Sequence, residues 1–240
     1  MREFRADLHI HTCLSPCAEL EMSPRNIAKE AKRKGLQIIG ICDHNSAENV
    51  LAVTKVAARE GIEVLGGMEV TTREEVHILA LFGSEDKLFK LQEIVHENLH
   101  GTNDEKIYGE QVVANELDEV IGFSNKLLIG ATDITVDRLV ELIHELDGLA
   151  IAAHVDREGF GIIGQLGFIP KGLALDALEL ADPSGRDTIH LEKDLPFVSS
   201  SDAHTLERIG KRWTTFLMND MSIDELRKCF RGENGRRVWM

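Results

Sequence analysis

The stretch that decides the fold is F-R-A-D-L-H-I at residues 4–10. Apolar and polar side chains alternate along it, which is the pattern of a β-strand with one buried face. The next signal is Ser23-Pro24, because serine is a common N-cap and proline suits the first helical position. The helix that this pair predicts runs over 24–34 and is stopped by Gly35. The chain therefore opens with a strand followed by a helix.

The same unit of a strand followed by a helix recurs along the rest of the chain. Further strands are predicted at 36–42, 62–65, 76–82, 149–154, 175–180 and 196–201. Further helices are predicted at 47–60, 135–147 and about 222–231, the last two with Thr135 and Ser222 as N-caps. Strands that alternate with helices favour parallel strands joined by helical crossovers. We therefore predict an α/β fold.

Residues 86–130 interrupt this alternation of strands and helices. The segment is polar, and a stretch rich in Gly, Asn and Asp at 101–104 separates a predicted helix near 86–99 from a second near 108–121. We interpret it as an inserted helical element that covers the functional site. A length of 240 residues fits one α/β barrel, so we predict a single domain over 1–240.

The charge balance limits the class of partner. The chain carries 27 Lys and Arg against 41 Asp and Glu, a formal net charge of −14. Such a chain repels a polyanion in general, so we expect no extended nucleic-acid binding. A small phosphorylated substrate or a nucleotide stays open, because bound divalent ions reverse the local sign of charge.

Cysteine usage and the N-terminus predict the compartment. The four cysteines contain no C-x-x-C pair and are too sparse for a disulfide scaffold. The N-terminus has no apolar core of a signal peptide, and no apolar run is long enough to span a membrane. We therefore predict a cytoplasmic protein without a membrane partner; the sequence does not indicate its oligomeric state.

Histidines and carboxylates follow the predicted strands at or near their ends. The candidate metal ligands are His9, His11, His44, Glu69, His77, His154, Asp202 and His204. Residues two apart on a strand point to the same face, which lets His9 and His11 share one ion. The ends of barrel strands meet at one face, where active sites form. Nitrogen and oxygen donors of this kind suit Zn, Mn or Fe, with Glu69 as a bridging carboxylate.

This ligand set predicts hydrolysis without a protein nucleophile. Paired ions about 3.5–4 Å apart polarise a phosphoryl oxygen, activate water near neutral pH and steady the leaving oxygen. The sequence contains neither the serine hydrolase pattern G-x-S-x-G nor the P-loop pattern G-x-x-x-x-G-K-[ST]. We therefore expect an enzyme with two or three divalent metal ions.

Six motifs in order resemble one known family. They are D-L-H-I-H-T (7–12), C-D-H-N (42–45), G-M-E-V (67–70), E-V-H-I-L (75–79), A-A-H-V-D-R (152–157) and S-S-D-A-H-T (200–205). Together they are similar to the PHP (polymerase and histidinol phosphatase) superfamily. The resemblance implies a distorted (β/α)7 barrel, here with a helical insertion, and a three-metal site.

The resemblance also implies a role for each matching residue. The first ion is held by His9, His11, Glu69 and Asp202, the second by Glu69, His77 and His154, and the third by His44 and His204. Asp43, beside His44, is expected to orient a histidine or to close the loop. The catalytic residues are Glu69, Asp202 and Arg157; Arg157 is either a clamp for a phosphate oxygen or a surface ion-pair partner.

One segment departs from the family pattern. Many members carry an acidic or histidine ligand shortly after the first motif, where this chain reads C-L-S-P-C-A-E-L-E (13–21). Cys17, Glu19 or Glu21 takes that place, or the third site is incomplete. The sequence leaves these alternatives open.

The resemblance points to a stand-alone metal-dependent phosphoesterase. Its substrate is expected to be a small molecule, a nucleotide or a short oligonucleotide, cleaved by metal-activated water. The alternative is a non-catalytic, metal-stabilised structural or regulatory PHP module. The near-complete ligand set speaks against that alternative. The placement of Glu69 fits the PHP pattern better than that of an amide hydrolase of another barrel family.

Overall fold

A computed structural model describes residues 1–189 and 195–240 of the chain. Its strands are β1 Arg2–Ile10, β2 Ile38–Ile41, β3 Glu63–Thr71, β4 His77–Phe82, β5 Val112–Ala114, β6 Val120–Phe123, β7 Leu149–Ala152, β8 Ala177–Leu180, β9 Phe197–Ser199, β10 Thr214–Met218 and β11 Arg237–Trp239. Its α-helices are α1 Pro24–Arg33, α2 Val50–Arg59, α3 Glu85–Asn98, α4 Glu105–Tyr108, α5 Val136–Glu145, α6 Ile162–Leu166 and α7 Ile223–Phe230. Short 3-10 segments lie at Pro183–Thr188, Leu206–Arg208 and Glu233–Gly235.

The main sheet curls into a nearly closed barrel. Its strand order is β11-β10-β1-β2-β3-β4-β7-β8-β9, and the seven strands from β1 to β9 form the wall. The barrel closes between β1 and β9, the two ends of this wall, where Ile10 pairs with Ala203 in a parallel bridge. The buried carboxylate of Asp7 accepts hydrogen bonds from the backbone N–H groups of Ser201 and Gly210 at the same seam, at 2.9 Å each. The predicted α/β fold and distorted (β/α)7 barrel are confirmed.

Not every strand runs parallel, as the alternation had predicted. β4 is antiparallel to both β3 and β7, with Thr71 opposite His77 and Ile78 opposite Ala152. Only a short connection of residues 72–76 joins β3 to β4, which is enough for a hairpin and too short for a helical crossover. β10 is likewise antiparallel to β1. The reversal places the beginning of β4, rather than its end, at the edge where the parallel strands finish.

Two apolar clusters hold the barrel together. The larger joins outward-facing strand residues to α1, α2, α3 and α5, and includes Ile27, Val53, Leu88 and Leu139. The second takes residues from every wall strand, such as Leu8, and is completed by Leu226 and Phe230 of α7. Because both faces of the strands are covered, the strands read as continuous apolar runs, and burial of so much apolar surface is the main stabilising contribution.

The helix starts follow the predicted signals. The side chains of Thr135 and Ser222 accept hydrogen bonds from the backbone N–H groups three residues later, and so cap α5 and α7. Pro24 begins α1 as predicted, although the hydroxyl of Ser23 makes no capping hydrogen bond. The residues at which these three helices begin are therefore well defined.

The insertion is only partly helical. α3 matches the predicted first helix, but the second helix expected near 108–121 is wrong: the short α4 precedes a hairpin of β5 and β6. Val112 and Val113 are β-branched and fit a pleated strand better than a helix. The side chain of Asn115 accepts hydrogen bonds from the backbone N–H groups of Leu117 and Glu119, and so builds the hairpin turn.

In the described part of the chain, no helix has the length and apolar character that crossing a membrane requires.

Candidate metal centre

The barrel brings all eight predicted ligands to one edge. His9 lies near the end of β1 and His11 just beyond it, while His44, His154 and Asp202 follow the ends of their strands. The reversed β4 presents His77 from its first position, opposite the end of β3. All of these ligands except His204 are buried. The convergence that the sequence predicted is therefore present, although one strand contributes in the opposite sense.

Glu69 lies at the centre of this edge and is 1% exposed. One of its oxygens, Oε1, is 2.8 Å from Nδ1 of His77 and 3.1 Å from Nε2 of His154. The other oxygen, Oε2, is 3.1 Å from Nδ1 of His44 and 3.4 Å from Nε2 of His11. The two oxygens thus face different groups of imidazoles, which is the placement of a bridging carboxylate.

A first group consists of His9, His11 and Asp202, whose donor atoms lie within 4.8 Å of one another. The Nε2 atoms of the two histidines are 3.1 Å apart. Oδ1 of Asp202 lies 3.5 Å from Nε2 of His9 and 3.2 Å from that of His11. Oε1 of Glu69 is 3.5 Å from Nε2 of His9, so the four ligands implied for the first ion are brought together.

Two further groups overlap the first. One joins Glu69 and His77 with His44, and the other joins His11 and His44 with His204. His154, which the resemblance implies for the second ion, remains in contact with Glu69. The rings of His11 and His204 stack with centroids 4.0 Å apart. His11 and His44 therefore each face two of the three groups.

The outer nitrogens of two histidines, His11 and His204, face hydrogen-bond acceptors. Nδ1 of His204 lies 3.0 Å from the carbonyl oxygen of Asp202, and a carbonyl can only accept. Nδ1 of His11 contacts the hydroxyl of Ser15 at 2.9 Å, and that hydroxyl donates to Asp43. Each ring therefore carries its proton on Nδ1 and turns the lone pair of Nε2 toward the site.

Asp43 has the orienting position that was expected of it. Its two carboxylate oxygens accept hydrogen bonds from the hydroxyl of Thr12 and the hydroxyl of Ser15, each at 2.7 Å. The backbone N–H of Thr12 donates to the same carboxylate at 2.7 Å. Asp43 thereby fixes the loop after β1 and, through Ser15, the ring of His11.

The sequence analysis missed Glu179, which supports His9. This glutamate lies on β8 and is 1% exposed. Its Oε2 is 3.0 Å from Nδ1 of His9 and also accepts the backbone N–H of His154 at 3.1 Å. The available signal was an acid inside the apolar run L-D-A-L-E-L, where an unpaired charge is costly to bury.

Carboxylates and imidazoles shift one another's pKa values strongly. Burial opposes the charged form of His9, but the carboxylates of Glu179, Glu69 and Asp202 outweigh it and raise its pKa well above the usual range. Burial is likewise outweighed at Glu69, whose pKa the surrounding imidazoles hold well below its usual value. Burial lowers the pKa of His77 to about 4 despite Glu69. The centre of this edge therefore carries the negative charge of Glu69, which favours the binding of cations.

The donor set fits divalent ions. The Nε2 atoms of His9 and His11 face each other at 3.1 Å, a distance that suits either a shared proton or two nitrogen ligands of one ion. Donors bound to one zinc-like ion at about 2.0–2.1 Å are separated by about 3–3.5 Å, which matches the spacings here. The Nδ1 atoms of His44 and His77 are buried beside Glu69 yet make no hydrogen bond, because their geometry is wrong for one. Lone pairs without proton partners are the expected signature of metal ligands.

Two ligand positions have strained backbones. His154 has φ of 30° and Asp202 has φ of 48°, in the left-handed region that residues with a side chain rarely adopt. Such strain persists where the surrounding structure fixes it, and it is concentrated at functional sites. Here it turns both side chains from the strand ends into the cluster.

The rim of the site carries Arg157 and Phe160. Nη1 of Arg157 donates to Oδ2 of Asp202 at 2.6 Å, while its side chain is 37% exposed. It therefore contacts a candidate ligand rather than the surface acids that were the alternative. The ring of Phe160 stacks on His77 with centroids 4.4 Å apart and covers that side of the site.

The three described histidines outside the six motifs contact groups that are not predicted ligands. His96 contacts the carbonyl oxygen of Asn45, His100 pairs with Asp133, and His144 pairs with Asp176. His190 falls outside the described residues. The four cysteines are free thiols, as predicted.

Two family models match the chain. Residues 7–159 match the model described as PHP domain, and residues 189–233 match the model described as PHP-associated. An uncharacterized protein of Methanocaldococcus jannaschii is 38% identical over 90 residues, covering 34% of this chain and 52% of that protein. The uncharacterized protein YqxK of Bacillus subtilis is 23% identical over 270 residues, covering 99% of this chain and 64% of YqxK.

Solved structures resemble the fold along nearly the whole chain. The lesion-specific endonuclease PfuEndoQ of Pyrococcus furiosus has a TM-score of 0.68 at 23% identity, covering 99% of this chain and 58% of that one. A complex of Endonuclease Q with a 27-mer duplex substrate that has an abasic lesion at the active site has a TM-score of 0.66 at 21% identity, covering 98% and 58%. Identities this low show a common fold alone. The chain spans less than two thirds of the length of each of these proteins.

Proposed function

The chain belongs to the PHP domain family, and on this premise we propose that it is a metal-dependent phosphoesterase. The family and the structural likenesses support a metal-dependent hydrolase. We propose further that it hydrolyses the phosphate ester of a small molecule, a nucleotide or a short oligonucleotide. The observation that carries the proposal is the placement of Glu69, whose two oxygens face separate groups of imidazoles at 2.8–3.4 Å.

The proposed ligand sets are those that the family resemblance implies, and each overlaps one of the three groups. His9, His11 and Asp202 would hold one ion, His77 and His154 a second, and His44 and His204 a third. Glu69 bridges the first two sets. Divalent ions held by these residues would supply polarisation of a phosphoryl oxygen and a water of near-neutral pKa. Glu179 and Asp43 keep the rings of His9 and His11 in the tautomer that offers Nε2.

Arg157 is proposed to bind the substrate phosphate. One guanidinium nitrogen of Arg157 donates a hydrogen bond to Asp202, and this bond sets the orientation of the planar guanidinium. The exposed remainder offers further N–H donors, and a planar guanidinium suits the oxygens of a phosphate. Arg157 can thus orient Asp202 and the phosphate together.

The insertion beside the site favours a compact substrate. Gly109 packs on Pro16, and the backbone N–H of Val112 donates to Cys13, so the hairpin lies against the loop after β1. Its exposed residues include the apolar Tyr108 and Phe123. An apolar surface and a net charge of −14 suit a nucleoside or a short oligonucleotide better than a long polyanion.

A substrate panel tests the proposal. The full chain, purified without chelators, is assayed with an aryl phosphate, a mononucleotide, a short oligonucleotide and a long duplex with an abasic site. We expect hydrolysis of at least one of the first three, lost on chelation and restored by Mn, Zn or Fe. Cleavage of the long duplex alone would contradict the compact-substrate proposal while leaving a metal-dependent hydrolase.

A non-catalytic module remains the alternative function. It predicts bound metal and a stability that depends on that metal, without turnover of any phosphate ester in the panel. The two functions therefore differ in turnover and agree in metal content. Hydrolysis that follows metal occupancy would rule out the module.

A further inference from the structure

One face of β1, β10 and β11 points away from α7 and is left exposed. Arg5 on β1 lies opposite Thr215 on β10, and Thr215 lies opposite Trp239 on β11, so the three residues form one row across the sheet. The residues that alternate with them, such as Phe216, belong to the apolar cluster that α7 completes. Arg5 is exposed and Trp239 is 39% exposed, so this row faces outward.

A groove of about 640 Å³ lies over this face, a volume within the usual range of ligand sites. Both tryptophans of the chain, Trp213 and Trp239, line it, and each is 39% exposed. The guanidinium of Arg5 lies over the ring of Trp213, 5.0 Å from its centroid. Tryptophan is enriched at binding surfaces, so two exposed indole rings in one groove indicate a binding site.

The groove is cationic, although the chain as a whole is acidic. Arg5, Lys211 and Arg212 line it, and Glu3 is the one acid among its described lining residues. In the described part of the chain, none of these three cations forms an ion pair with a carboxylate, whereas the exposed Arg138 pairs with two glutamates. Cations without such partners, placed beside aromatic rings, suit a ligand that carries both anionic groups and flat rings.

The groove is separate from the candidate metal centre. Arg5 lies four residues before His9 on β1, which is about 13 Å along a strand. Between them, Asp7 accepts the hydrogen bonds from Ser201 and Gly210 that close the barrel seam. None of the eight candidate metal ligands is among the described residues that line the groove.

We propose that this groove binds a short single-stranded oligonucleotide. Bases stack on Trp213 and Trp239, and phosphates pair with Arg5, Lys211 and Arg212, which is the combination of rings and cations that binds single strands without sequence preference. The small volume of the groove limits the contact to a few nucleotides, and the acidic remainder of the chain repels a longer polyanion. This inference goes beyond the proposed hydrolysis, because stacking and charge pairing in the groove require no metal ion.

Intrinsic fluorescence tests the proposal, because both tryptophans of the chain lie in the groove. The metal-free full chain is titrated with an oligothymidylate of about eight nucleotides, and quenching of the tryptophan emission is followed at several salt concentrations. We expect saturable quenching that weakens as the salt concentration rises. Because metal-free protein is used, a failure here is distinct from a failure of the proposed metal-dependent hydrolysis.

The cations are tested by Lys211→Ala and Arg212→Ala introduced together. We expect Kd to rise by about tenfold or more, and the slope of log Kd against log salt to fall by about 1.4, because each phosphate contact to a single strand contributes about 0.7. Lys55→Ala and Arg138→Ala together form the matched control, since they remove two exposed cations outside the groove. This control should bind the oligothymidylate as the unmodified chain does.

The rings are tested by Trp213→Ala and by a ligand without bases. Trp213→Ala should weaken binding by about 10–100-fold, with Trp239 still present to report it. Inorganic polyphosphate, which offers only charge, should compete weakly with the oligothymidylate. Equal competition by polyphosphate, unchanged affinity in the groove variants, or no quenching at all would overturn the proposal. Self-association of the chain without oligonucleotide that is lost in Trp239→Ala would also overturn it, because a second copy would then cover the groove.

Discussion

Two buried glutamates of this molecule have opposite surroundings. Glu69 on β3 is 1% exposed and is surrounded by imidazoles. Glu225 on α7 is 3% exposed and is held by cations of the chain itself. Arg236 donates to both of its oxygens at 2.9 and 3.0 Å, and Lys228 donates at 2.9 Å. A backbone N–H, that of Asn219, adds a further bond at 2.8 Å.

The difference separates a structural carboxylate, Glu225, from Glu69, which we propose to be functional. The partners of Glu225 carry fixed charges and well-aligned hydrogen bonds, so this carboxylate is complete without any ligand. The partners of Glu69 are imidazoles whose Nδ1 or Nε2 atoms crowd it, several without a hydrogen bond. Bound divalent cations would satisfy these converging lone pairs without protonation of the imidazoles. The four predictions below test this contrast, from the largest effect to the smallest.

Glu69→Gln removes the charge at the centre of the site with little change of shape. We expect phosphoesterase activity to fall by on the order of 10³-fold, because one carboxylate serves two ions. Activity is measured as kcat/KM on the best substrate of the panel. Glu63→Gln, an exposed glutamate on the same strand, should leave kcat/KM unchanged. Equal activity of Glu69→Gln and the control would show that the two buried glutamates do not differ in the proposed way.

Glu179→Gln weakens the acceptor behind His9. We expect metal affinity to fall about 10–100-fold, as is typical when the group that orients a ligand is lost. Competition with a chromophoric chelator measures it. Asp176→Asn alters a similar acid–histidine pair remote from the site, that with His144, and should leave metal affinity unchanged. Matching affinities for Glu179→Gln and the unmodified chain would remove Glu179 from the site.

Much of the candidate site was predictable because its candidate ligands carry a strong local signal. A histidine or carboxylate at the end of an apolar run, as at His9, His154 and Asp202, is placed by the strand itself. Glu179 was missed because its partner, His9, is 170 positions away along the chain. Periodicity reports which residues are buried, but not which buried residues meet. Residues that support the candidate ligands are therefore harder to predict from the sequence than the candidate ligands themselves.

The fold shows the same limit. The wall strands were predictable from apolar runs, whereas the reversal of β4 was not, because strand direction depends on the connection and on the register of its neighbours. The hairpin of β5 and β6 was mistaken for a helix, since three-residue and four-residue strands give too short a pattern to show a period. The turn chemistry of Asn115 was the sequence signal available against a helix here.

Glu225→Gln tests the structural side of the comparison. We expect the free energy of unfolding to fall by about 2 kcal/mol, the usual range for hydrogen bonds to charged groups. Urea denaturation measures it, with metal content followed in parallel. Glu233→Gln, at an exposed pair with Arg231, should change stability by less than about 0.5 kcal/mol. A loss of metal in Glu225→Gln without a loss of stability would reverse the assigned roles.

The pH dependence of stability isolates the contribution of the Glu225 carboxylate. The hydrogen bond from Arg236, then that from Lys228, lowers the pKa of Glu225 from 4.5 to about 2. The charged form therefore stabilises the fold fully above about pH 4.5, and this contribution is lost as the pH falls through about 2. We expect the stability difference between the unmodified chain and Glu225→Gln to shrink between these limits in urea titrations. A difference that stays constant down to pH 2 would contradict the lowered pKa.

The most direct measurement is the metal content per chain of the unmodified protein and of Glu69→Gln, each purified without chelators and analysed for Mn, Fe and Zn. We expect about two or three ions in the unmodified chain, as a bridged centre requires, and a clear loss of them in the variant. Equal metal content in the two proteins, or none in the unmodified chain after Mn, Fe and Zn are supplied, would contradict the claim that Glu69 is the centre of a metal site.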